Sequence, residues 1–458
     1  MSIAVLADRI RTGELSARAA VEESLRCIAE IDPKLNSFIS VRAEEALAEA
    51  DALDGEASRG PLHGVPIAVK DVIDVAGART TAASRILAEN VARTDAATVE
   101  ALRAAGAVVV GKLNTHEFAL GAMTTSPHFG PARNPWATDR ICGGSSGGSG
   151  SAAAARLVAA TLGTDTAGSI RIPASCCGVT GIRPTSGRVS NRGVVPVSFT
   201  LDTVGPIAPS AEDCAIVLEV IAGHDPRDPT TADLPVPQYR RALERGADGL
   251  RVGVVTALVD RADPRIGSAV REAVEKLATA GAVVEEVDVP LLDEAGAILP
   301  LIMLPEAAEV HLPWLRSRLD DYGPDVRARL LAGLLLPVTA SVTGRRARRW
   351  YCERLDEVME RFDVLAAPQM LTAPPRIGEE TVEVSGEEML YRLSVIPTSS
   401  PWTLAGLPVV SVPCGFVDDL PVGLALVGRR FAEETVLRLA HAYQTLTDWH
   451  ERRPPIAG

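Results

Sequence analysis

The chain has 458 residues, of which 47% are hydrophobic and 23% charged, and its formal net charge is −13. This composition is typical of a globular protein with a large core, and the negative charge argues against a nucleic-acid partner, because phosphate binding needs clustered positive charge. The sequence does not open with a charged and then apolar leader, and its longest apolar runs, near 298–304 and 330–338, are shorter than a membrane span, so we expect neither a secretory signal nor a span.

The N-terminal segment, residues 1–60, is predicted to be mainly helical. Apolar residues recur at helical spacing between 17 and 30, Ser16 is a suitable N-cap, and Pro33 is expected to end this helix. Shorter helices are predicted on either side of it, over 3–10 and 42–53.

From residue 65 onwards, predicted strands and helices alternate. Apolar runs predict strands over 65–69, 107–110, 250–255, 283–287, 362–366, 407–412 and 422–427. The segment 178–189 is predicted to form a strand and a turn. Helical spacing predicts helices over 96–105, 211–221, 264–280, 433–446 and most of 291–360. This alternation predicts an α/β fold.

The sequence shows no sign of separate domains. It has no internal repeat and no low-complexity linker of useful length, so we expect one large domain over 1–458. Within that domain, residues 225–350 are expected to be the variable, mostly helical part that shapes the substrate site.

The cysteines and histidines show no pattern of a metal or disulfide framework. The seven cysteines are scattered without CxxC spacing, and two of them, Cys176 and Cys177, are adjacent. This usage predicts reduced thiols in a cytoplasmic protein. No cluster of His, Cys and carboxylates has the spacing of metal ligands, so we expect neither a metal nor a cofactor.

Two small-residue segments, joined by an Ala-rich stretch of helical character, organise the chain. The first is GGSSGGSGS at 143–151 and the second is TDTAGS at 164–169. Glycine reaches backbone conformations that bring main-chain N–H groups and hydroxyls close to a ligand. The two segments can therefore place hydroxyls from both on the same small volume.

Alone, the first segment has several interpretations. Its composition fits a flexible linker, and it lacks the Gly-Lys-Ser/Thr that would complete a phosphate-binding loop. Residues 148–153 match the G-x-G-x-x-A spacing of a dinucleotide loop, but no predicted strand precedes them. Residues 143–147 match the G-x-S-x-G nucleophile elbow of an α/β-hydrolase-type esterase, with Ser145 as nucleophile and the same strand missing.

Further segments extend the pattern along almost the whole chain. They are GVPIAVKD (64–71), GKLNTHEFALG (111–121), PHFGPARNPW (127–136), GGSSGGSGSAAAA (143–155), GTDTAGSIRIPASCCGVTGIRPT (163–185), LDTVGPIAPSAEDCAIVLEVIAG (201–223) and GLPVVSVPCG (406–415). In this order and spacing, they resemble the amidase signature family of serine hydrolases, which includes bacterial amidases and amidotransferase A subunits. The resemblance implies an α/β fold with a large mixed central β-sheet covered by helices on both faces.

The resemblance also implies roles for individual residues. Ser169 matches the nucleophile, Ser145 the serine beside a cis peptide bond, and Lys70 the catalytic lysine. The implied oxyanion hole consists of the N–H groups of Thr166, Ala167, Gly168 and Ser169. The implied substrate-binding residues are Ala119, Met123 and Ser146, and the implied structural supports are Asp165 and Arg171. The family often has glycine where this chain has Ala167, which bears on the geometry of the hole.

A serine hydroxyl needs a base before it can attack a carbonyl carbon, and no histidine matches a motif. Lys70 ends an apolar strand, and burial there would favour its neutral form by lowering its pKa. We expect the neighbouring Asp71 to face away from it. Ser145 would then relay the proton between Ser169 and Lys70.

The family resemblance implies hydrolysis of a small-molecule amide through an acyl-enzyme, releasing an acid and an amine or ammonia, with esters and carbamates also possible. The alternative is the glutamine-amidase (A) subunit of a tRNA-dependent amidotransferase, which works in a complex. Those subunits tend to carry an acidic residue and an asparagine where Ser394 and Thr403 stand here. The analogy also allows a homodimer.

Overall fold

The structure of the chain is a computed structural model and describes residues 1–457. Its strands are β1 Phe38–Val41, β2 Pro66–Lys70, β3 Val108–Leu113, β4 Thr125–Ser126, β5 Gly130–Pro131, β6 Ala160–Asp165, β7 Thr180–Arg183, β8 Thr203–Ala208, β9 Arg251–Val255, β10 Val283–Val287, β11 Val364–Pro368, β12 Thr381–Val384, β13 Glu387–Leu390, β14 Val409–Val417 and β15 Leu420–Gly428. Its helices are α1 Ile3–Arg11, α2 Ala17–Leu35, α3 Ala43–Asp54, α4 Ala97–Ala104, α5 Gly147–Ala154, α6 Arg171–Cys177, α7 Ala211–Ile221, α8 Tyr239–Ala242, α9 Thr256–Arg261, α10 Pro264–Thr279, α11 Leu292–Ser317, α12 Pro324–Leu335, α13 Val338–Met359, α14 Tyr391–Ser394, α15 Ile396–Ala405 and α16 Glu433–Thr445.

One mixed sheet of 11 strands runs through the molecule, in the order β1-β3-β2-β6-β8-β7-β14-β15-β11-β9-β10. Strand β2 is parallel to β3 and β6, and β9 is parallel to β10 and β11, whereas the pairs between them are antiparallel. Every residue of β2 and β6 is buried, as expected of strands covered on both faces. The predicted α/β fold with a large mixed central sheet is confirmed.

The structure contains several elements that were not predicted, among them β1, β6 and β8, and it extends one predicted helix. Helix α2 continues past Pro33 to Leu35 and ends where Asn36 adopts a left-handed conformation. Proline removes one hydrogen bond in the last turn, and this helix tolerates that loss. Strand β6 was not predicted, because its sequence ATLGTD lacks the β-branched and aromatic run by which strands are recognised.

Helix α11 is long and apolar enough to cross a membrane by length and composition alone, and the pair α12 and α13, bent by 94°, meets the same test together. Leu299 and Ile302 of α11 are buried in the protein, where the helix packs against α12, α13 and α15. This packing is that of a core helix, and α11 also borders the cavity described below.

Candidate active site

Two neighbouring strands bring the predicted residues to one edge of the sheet. Strand β2 ends at Lys70 and β6 ends at Asp165, and the two strands run parallel. Because parallel strands end at the same edge, Lys70 and the turn at 166–169 lie close together. Helix α5 packs against β6, and Ser145 lies just before the start of this helix.

Lys70 is completely buried and contacts two hydroxyls. Its Nζ lies 2.7 Å from Ser145 Oγ and 2.8 Å from Thr164 Oγ1. Burial lowers the pKa of Lys70 to about 7, although the charges of Asp165 and Asp202 act in the opposite direction. A substantial fraction of the amine is therefore neutral near pH 7.

Asp71, the residue after Lys70, faces another partner. Its Oδ1 lies 2.9 Å from Lys112 Nζ, and both side chains are fully buried. The N–H of Thr81 donates to the same carboxylate at 2.9 Å. The expectation that Asp71 points away from Lys70 is confirmed, and this carboxylate is engaged with a different lysine.

Main-chain hydrogen bonds position the two predicted catalytic serines, Ser145 and Ser169. The Gly144–Ser145 peptide bond is cis. The carbonyl of Ser145 accepts from the N–H of His116 at 3.1 Å, and the carbonyl of Ser169 accepts from the N–H of Ser146 at 3.2 Å. Within residues 1–457, no hydrogen bond joins the two hydroxyls. The hydrogen bond between Lys70 and Ser145 is formed, whereas the hydrogen bond expected between Ser145 and Ser169 is not among those of the described residues.

The turn after β6 offers three of the four predicted oxyanion donors. The N–H of Gly168 donates to Asp165 Oδ1 at 2.8 Å and is therefore occupied, which corrects the prediction for this residue. Among the described residues, the N–H groups of Thr166, Ala167 and Ser169 have no hydrogen-bond acceptor, and all three residues line a cavity. An oxyanion in this cavity could accept from these three.

Asp165 is the centre of a buried ionic network that fixes the turn. Its carboxylate lies 3.0 Å from both Nε and Nη2 of Arg171 and 3.1 Å from Nη1 of Arg183. Burial alone would raise the pKa of Asp165, but the two guanidinium groups hold it well below its usual range. The N–H groups of Gly168 and Ile170 donate to the same carboxylate, at 2.8 and 3.1 Å.

At Gly168, both the backbone conformation and the surrounding atoms exclude a side chain. Its φ is +115°, and an added Cβ would lie 2.6 Å from Ser399 Oγ and 2.8 Å from Ile172 Cδ1. We expect Gly168→Ala to lower the free energy of unfolding by about 2–4 kcal/mol, because it adds backbone strain to overpacking. Gly77→Ala, at φ +80° with open space around it, separates the two effects in urea denaturation. Equal losses in both variants would contradict the steric part.

The cavity beside the turn has a volume of 180 Å³ and a largely apolar wall. Its lining includes Ser169 and Gly144 on one side and, on helix α11, Leu299, Pro300, Met303 and Leu304. The apolar segment 296–338, which the sequence leaves open between core and pocket wall, thus contributes to the wall. Among the described residues, the charged side chains at the lining are Arg329 and Arg392, and no carboxylate is present.

A family model described as Amidase matches residues 19–437 of this chain. The chain belongs to the amidase signature family. The A subunit of the glutamyl-tRNA(Gln) amidotransferase of Moorella thermoacetica is 40% identical over 484 residues, which cover 98% of this chain and 97% of that protein. The resemblance found in the sequence is therefore confirmed for the family.

Solved amidase structures superpose on this one along almost their whole length. One such structure is described as a vestigial protein complex that reveals the evolutionary origins of an s-triazine catabolic enzyme. A chain of it has a TM-score of 0.93 and 39% identity, over 97% of this chain and 98% of that chain. The 6-aminohexanoate cyclic dimer hydrolase complexed with substrate has a TM-score of 0.92 and 28% identity, over 100% and 99%.

The three predicted substrate-binding residues of this amidase occupy different places. Ala119 lines the cavity beside Ser169. Met123 lines an adjoining cavity of 340 Å³ instead. Ser146 lines neither, because its Oγ donates to the carbonyl of Thr164 at 3.1 Å and accepts from the N–H of Thr164 at 3.2 Å. Its hydroxyl ties the loop before α5 to strand β6, so the structure does not place it for substrate binding.

Three residues of the candidate site were missed from the sequence. Thr164 contacts Lys70, Arg183 completes the pairing of Asp165, and Asp202 accepts from Thr166 Oγ1 at 2.5 Å. Each lies in a segment that carries the family resemblance, at 163–185 or 201–223. Their position as polar residues at or next to the end of a buried strand was the signal in the sequence that could have identified them.

The positions that bear on glutamine recognition do not reach the cavity. Ser394 is buried, and its Oγ donates to the carbonyl of Tyr391 at 2.8 Å. Thr403 Oγ1 accepts from Arg171 Nη2 at 2.9 Å. Both hydroxyls therefore support the packing behind the amidase site.

Proposed function

We propose that this amidase hydrolyses a small-molecule carboxylic amide with an apolar acyl part, through an acyl-enzyme on Ser169. The observation that carries the proposal is the fully buried Lys70, with a pKa of about 7, in contact with Ser145, which follows the cavity-lining Gly144. A neutral amine in this place is the base that a serine nucleophile requires. The proposed chemistry uses side chains and main-chain groups of the protein alone.

The proposed reaction begins with transfer of two protons. Neutral Lys70 accepts the proton of Ser145, which in turn accepts the proton of Ser169, and Ser169 Oγ forms a bond to the carbonyl carbon. This relay requires a hydrogen bond between Ser169 Oγ and Ser145 Oγ, which the described residues do not form in the present structure. The C–N bond then breaks, and the proton on Lys70 returns through Ser145 to the departing amine.

The developing oxyanion would be stabilised by the turn after β6. The N–H groups of Thr166, Ala167 and Ser169 have no other acceptor within the described residues, so they are available without rearrangement. Each such donor typically contributes about 3 kcal/mol to lowering the barrier. Water then attacks the acyl-enzyme by the same route, and the acid is released.

The wall of the cavity supports an apolar acyl group. Leu299, Met303 and Leu304 present aliphatic side chains to the space beside Ser169. Within residues 1–457, no carboxylate lines this space to pair with the ammonium group of an amino acid. Esters and carbamates with the same acyl part would reach Ser169 in the same way.

A second candidate function is the glutamine-amidase component of a tRNA-dependent amidotransferase. It is favoured by the identity of 40% to the Moorella thermoacetica A subunit over nearly the whole of both chains. Under this function, the protein would act in a complex and pass ammonia to a partner. Under either function we propose a cytoplasmic enzyme, for which the free state of all seven cysteines is support.

Ser169→Ala is expected to abolish covalent labelling by a fluorophosphonate probe, because the probe reacts with an activated serine hydroxyl. The wild-type protein should be labelled at Ser169, as located by mass spectrometry of the digested adduct. Cys352→Ser, a change at a thiol outside the cavity lining, serves as the matched control and should label normally. Labelling at Ser145 would contradict the proposed nucleophile.

A substrate panel separates the two candidate functions. Hexanamide, an anilide, a carbamate and L-glutamine are offered to the purified chain without any partner, and the acid and ammonia or amine are measured. We expect hydrolysis of the apolar substrates and little of glutamine. Selective release of ammonia from glutamine would overturn the first candidate in favour of the second.

A further inference from the structure

A second cavity, polar and 600 Å³ in volume, lies at the opposite end of helix α5 from Ser145. It shares no lining residue with the cavity beside Ser169. Helix α5 has 8 residues and Arg156 follows its C-cap, Ala155, so the two cavities are separated by a helix about 12 Å long. We call this second space the Arg156 cavity.

Arg156 has a guanidinium group whose hydrogen-bonding capacity is only partly used. Its φ is +57°, in the left-handed region that non-glycine residues rarely adopt. Its Nη2 donates to the carbonyl of His450 at 2.8 Å, but its Nη1 is buried without any hydrogen-bond partner. Among the described residues it makes no ion pair. An unsatisfied buried donor of this kind needs an explanation.

Other donors converge on the same cavity. Arg453 lines it, is exposed, and makes no polar contact in the part of the chain that the structure describes. His441 and His450 also line it, and Nδ1 of His450 is buried without a partner. Burial lowers the pKa of Arg156 to about 10, and the charge of Arg453 acts in the same direction, against that of Asp213. Arg156 and Arg453 thus bring two guanidinium groups to one cavity.

The carboxylates that face the Arg156 cavity are Glu212, Asp213 and Glu451. Glu212 is paired with Arg240 at 3.1 Å. Asp213 accepts from the N–H of Ile3 at 2.7 Å and from Ser210 Oγ at 2.8 Å. Glu451 is exposed at the rim. Two of the three are thus engaged elsewhere, which leaves Arg156 and Arg453 available to an incoming anion.

We propose that the Arg156 cavity binds a small molecule through an oxyanion group, with Arg156 and Arg453 as the two guanidinium ligands. Guanidinium groups donate paired N–H bonds that match phosphate and carboxylate oxygens. The volume is in the range of small-molecule sites and larger than a bare anion requires, so the ligand carries a polar body as well. Thr447 also lines the cavity, and its hydroxyl donates to the carbonyl of Tyr443, which leaves its oxygen as an acceptor for such a body.

The test is the thermal unfolding midpoint of the full chain in inorganic phosphate, glucose 6-phosphate or citrate, with sodium chloride holding ionic strength constant. A bound ligand raises the midpoint as its concentration exceeds Kd. We expect at least one of these probes to raise it, with glucose as the uncharged control giving no shift. Phosphorylated probes alone would define a phosphate site, and citrate alone a carboxylate site.

Arg453→Gln is expected to weaken the apparent affinity for the active probe at least about 10-fold, as loss of one charged hydrogen-bonding partner does. Arg93→Gln removes the same charge at an exposed position outside both cavities and should leave the affinity unchanged. Arg156→Gln should weaken binding further, but it also removes the contact with His450, so Arg453→Gln decides the test.

Three outcomes would overturn the proposal. They are the absence of a shift with every probe, equal affinities in Arg453→Gln and Arg93→Gln, and loss of the shift in Arg392→Gln, which would place the anion in the cavity beside Ser169. Substrate turnover is measured in parallel, and competition between probe and substrate would count against a separate site in the same way.

Discussion

Replacing Lys70 by methionine is expected to lower kcat by at least about 10³-fold, the range in which removal of a general base usually falls. The change removes the only amine in contact with Ser145 among the described residues while keeping an unbranched side chain in a fully buried place. Steady-state turnover of the best substrate from the panel measures it. The matched control is Lys112→Met, which removes the other fully buried lysine of this region and its contact with Asp71.

The pH dependence of the wild-type rate tests the same assignment. Only the neutral amine can accept a proton, so the rate should be low below the pKa of Lys70, rise through about pH 7 and level off above it. If the residual activity of Lys70→Met still rose with pH around a midpoint of about 7, another group would be the base. A rate that falls as pH rises through 7 would contradict a neutral lysine outright.

The stability of Lys70→Met should move in the opposite direction from its activity. Lys70 titrates near 7 in the folded protein and near 10.5 when unfolded, so the unfolded chain binds more protons between these values. Wild-type stability should therefore rise with pH from about 7 to 10.5. Lys70→Met should lack this slope and be at least as stable as the wild type at pH 6. Urea denaturation at pH 6 and 9 measures both, and a destabilised variant would mean that the lost activity reflects misfolding.

The sequence was sufficient to predict the side of the site that belongs to β2. An uninterrupted apolar run is typical of a strand buried on both faces, and the family resemblance identifies the lysine that ends this run as the catalytic one. Lys70 indeed ends β2 with no exposure. The orientation of Asp71 away from Lys70 could also be anticipated, because a carboxylate beside Lys70 would keep the amine of Lys70 charged.

The remainder of the site depends on pairing between distant segments, which local pattern does not encode. Strand β6 is made of small residues and is defined by its neighbours β2 and β8. Arg183 reaches Asp165 only because β7 and β8 place it there, across 18 residues of sequence. For the same reason, the sequence could not show that the N–H of Gly168 is occupied by Asp165, or that Ser146 is bonded to Thr164.

The turn after β6 owes its shape to one carboxylate, so Asp165→Asn is expected to lower the free energy of unfolding by about 3–5 kcal/mol, as breaking a buried ion pair does. Arg171 and Arg183 would then both be buried without their common counter-charge. Because Asp165 also holds the N–H of Gly168, the donors of the oxyanion site should move, and kcat should fall at least about 10²-fold. Denaturation and turnover are measured on the same preparation.

Two controls distinguish the effect of this buried network from that of any lost charge. They are the dependence of stability on acid pH and the loss of a carboxylate at the surface. The pKa of Asp165 is depressed in the folded protein from an ordinary value of 3.8, so its contribution to stability is present above pH 3.8 and is lost as pH falls below it. Asp165→Asn should lack that part of the acid transition. Asp363→Asn, which removes partly exposed pairs with Arg251 and Arg429, both at 3.3 Å, should cost no more than about 1 kcal/mol. Equal losses in the two variants would mean that Asp165 forms an ordinary ion pair and does not fix the turn after β6.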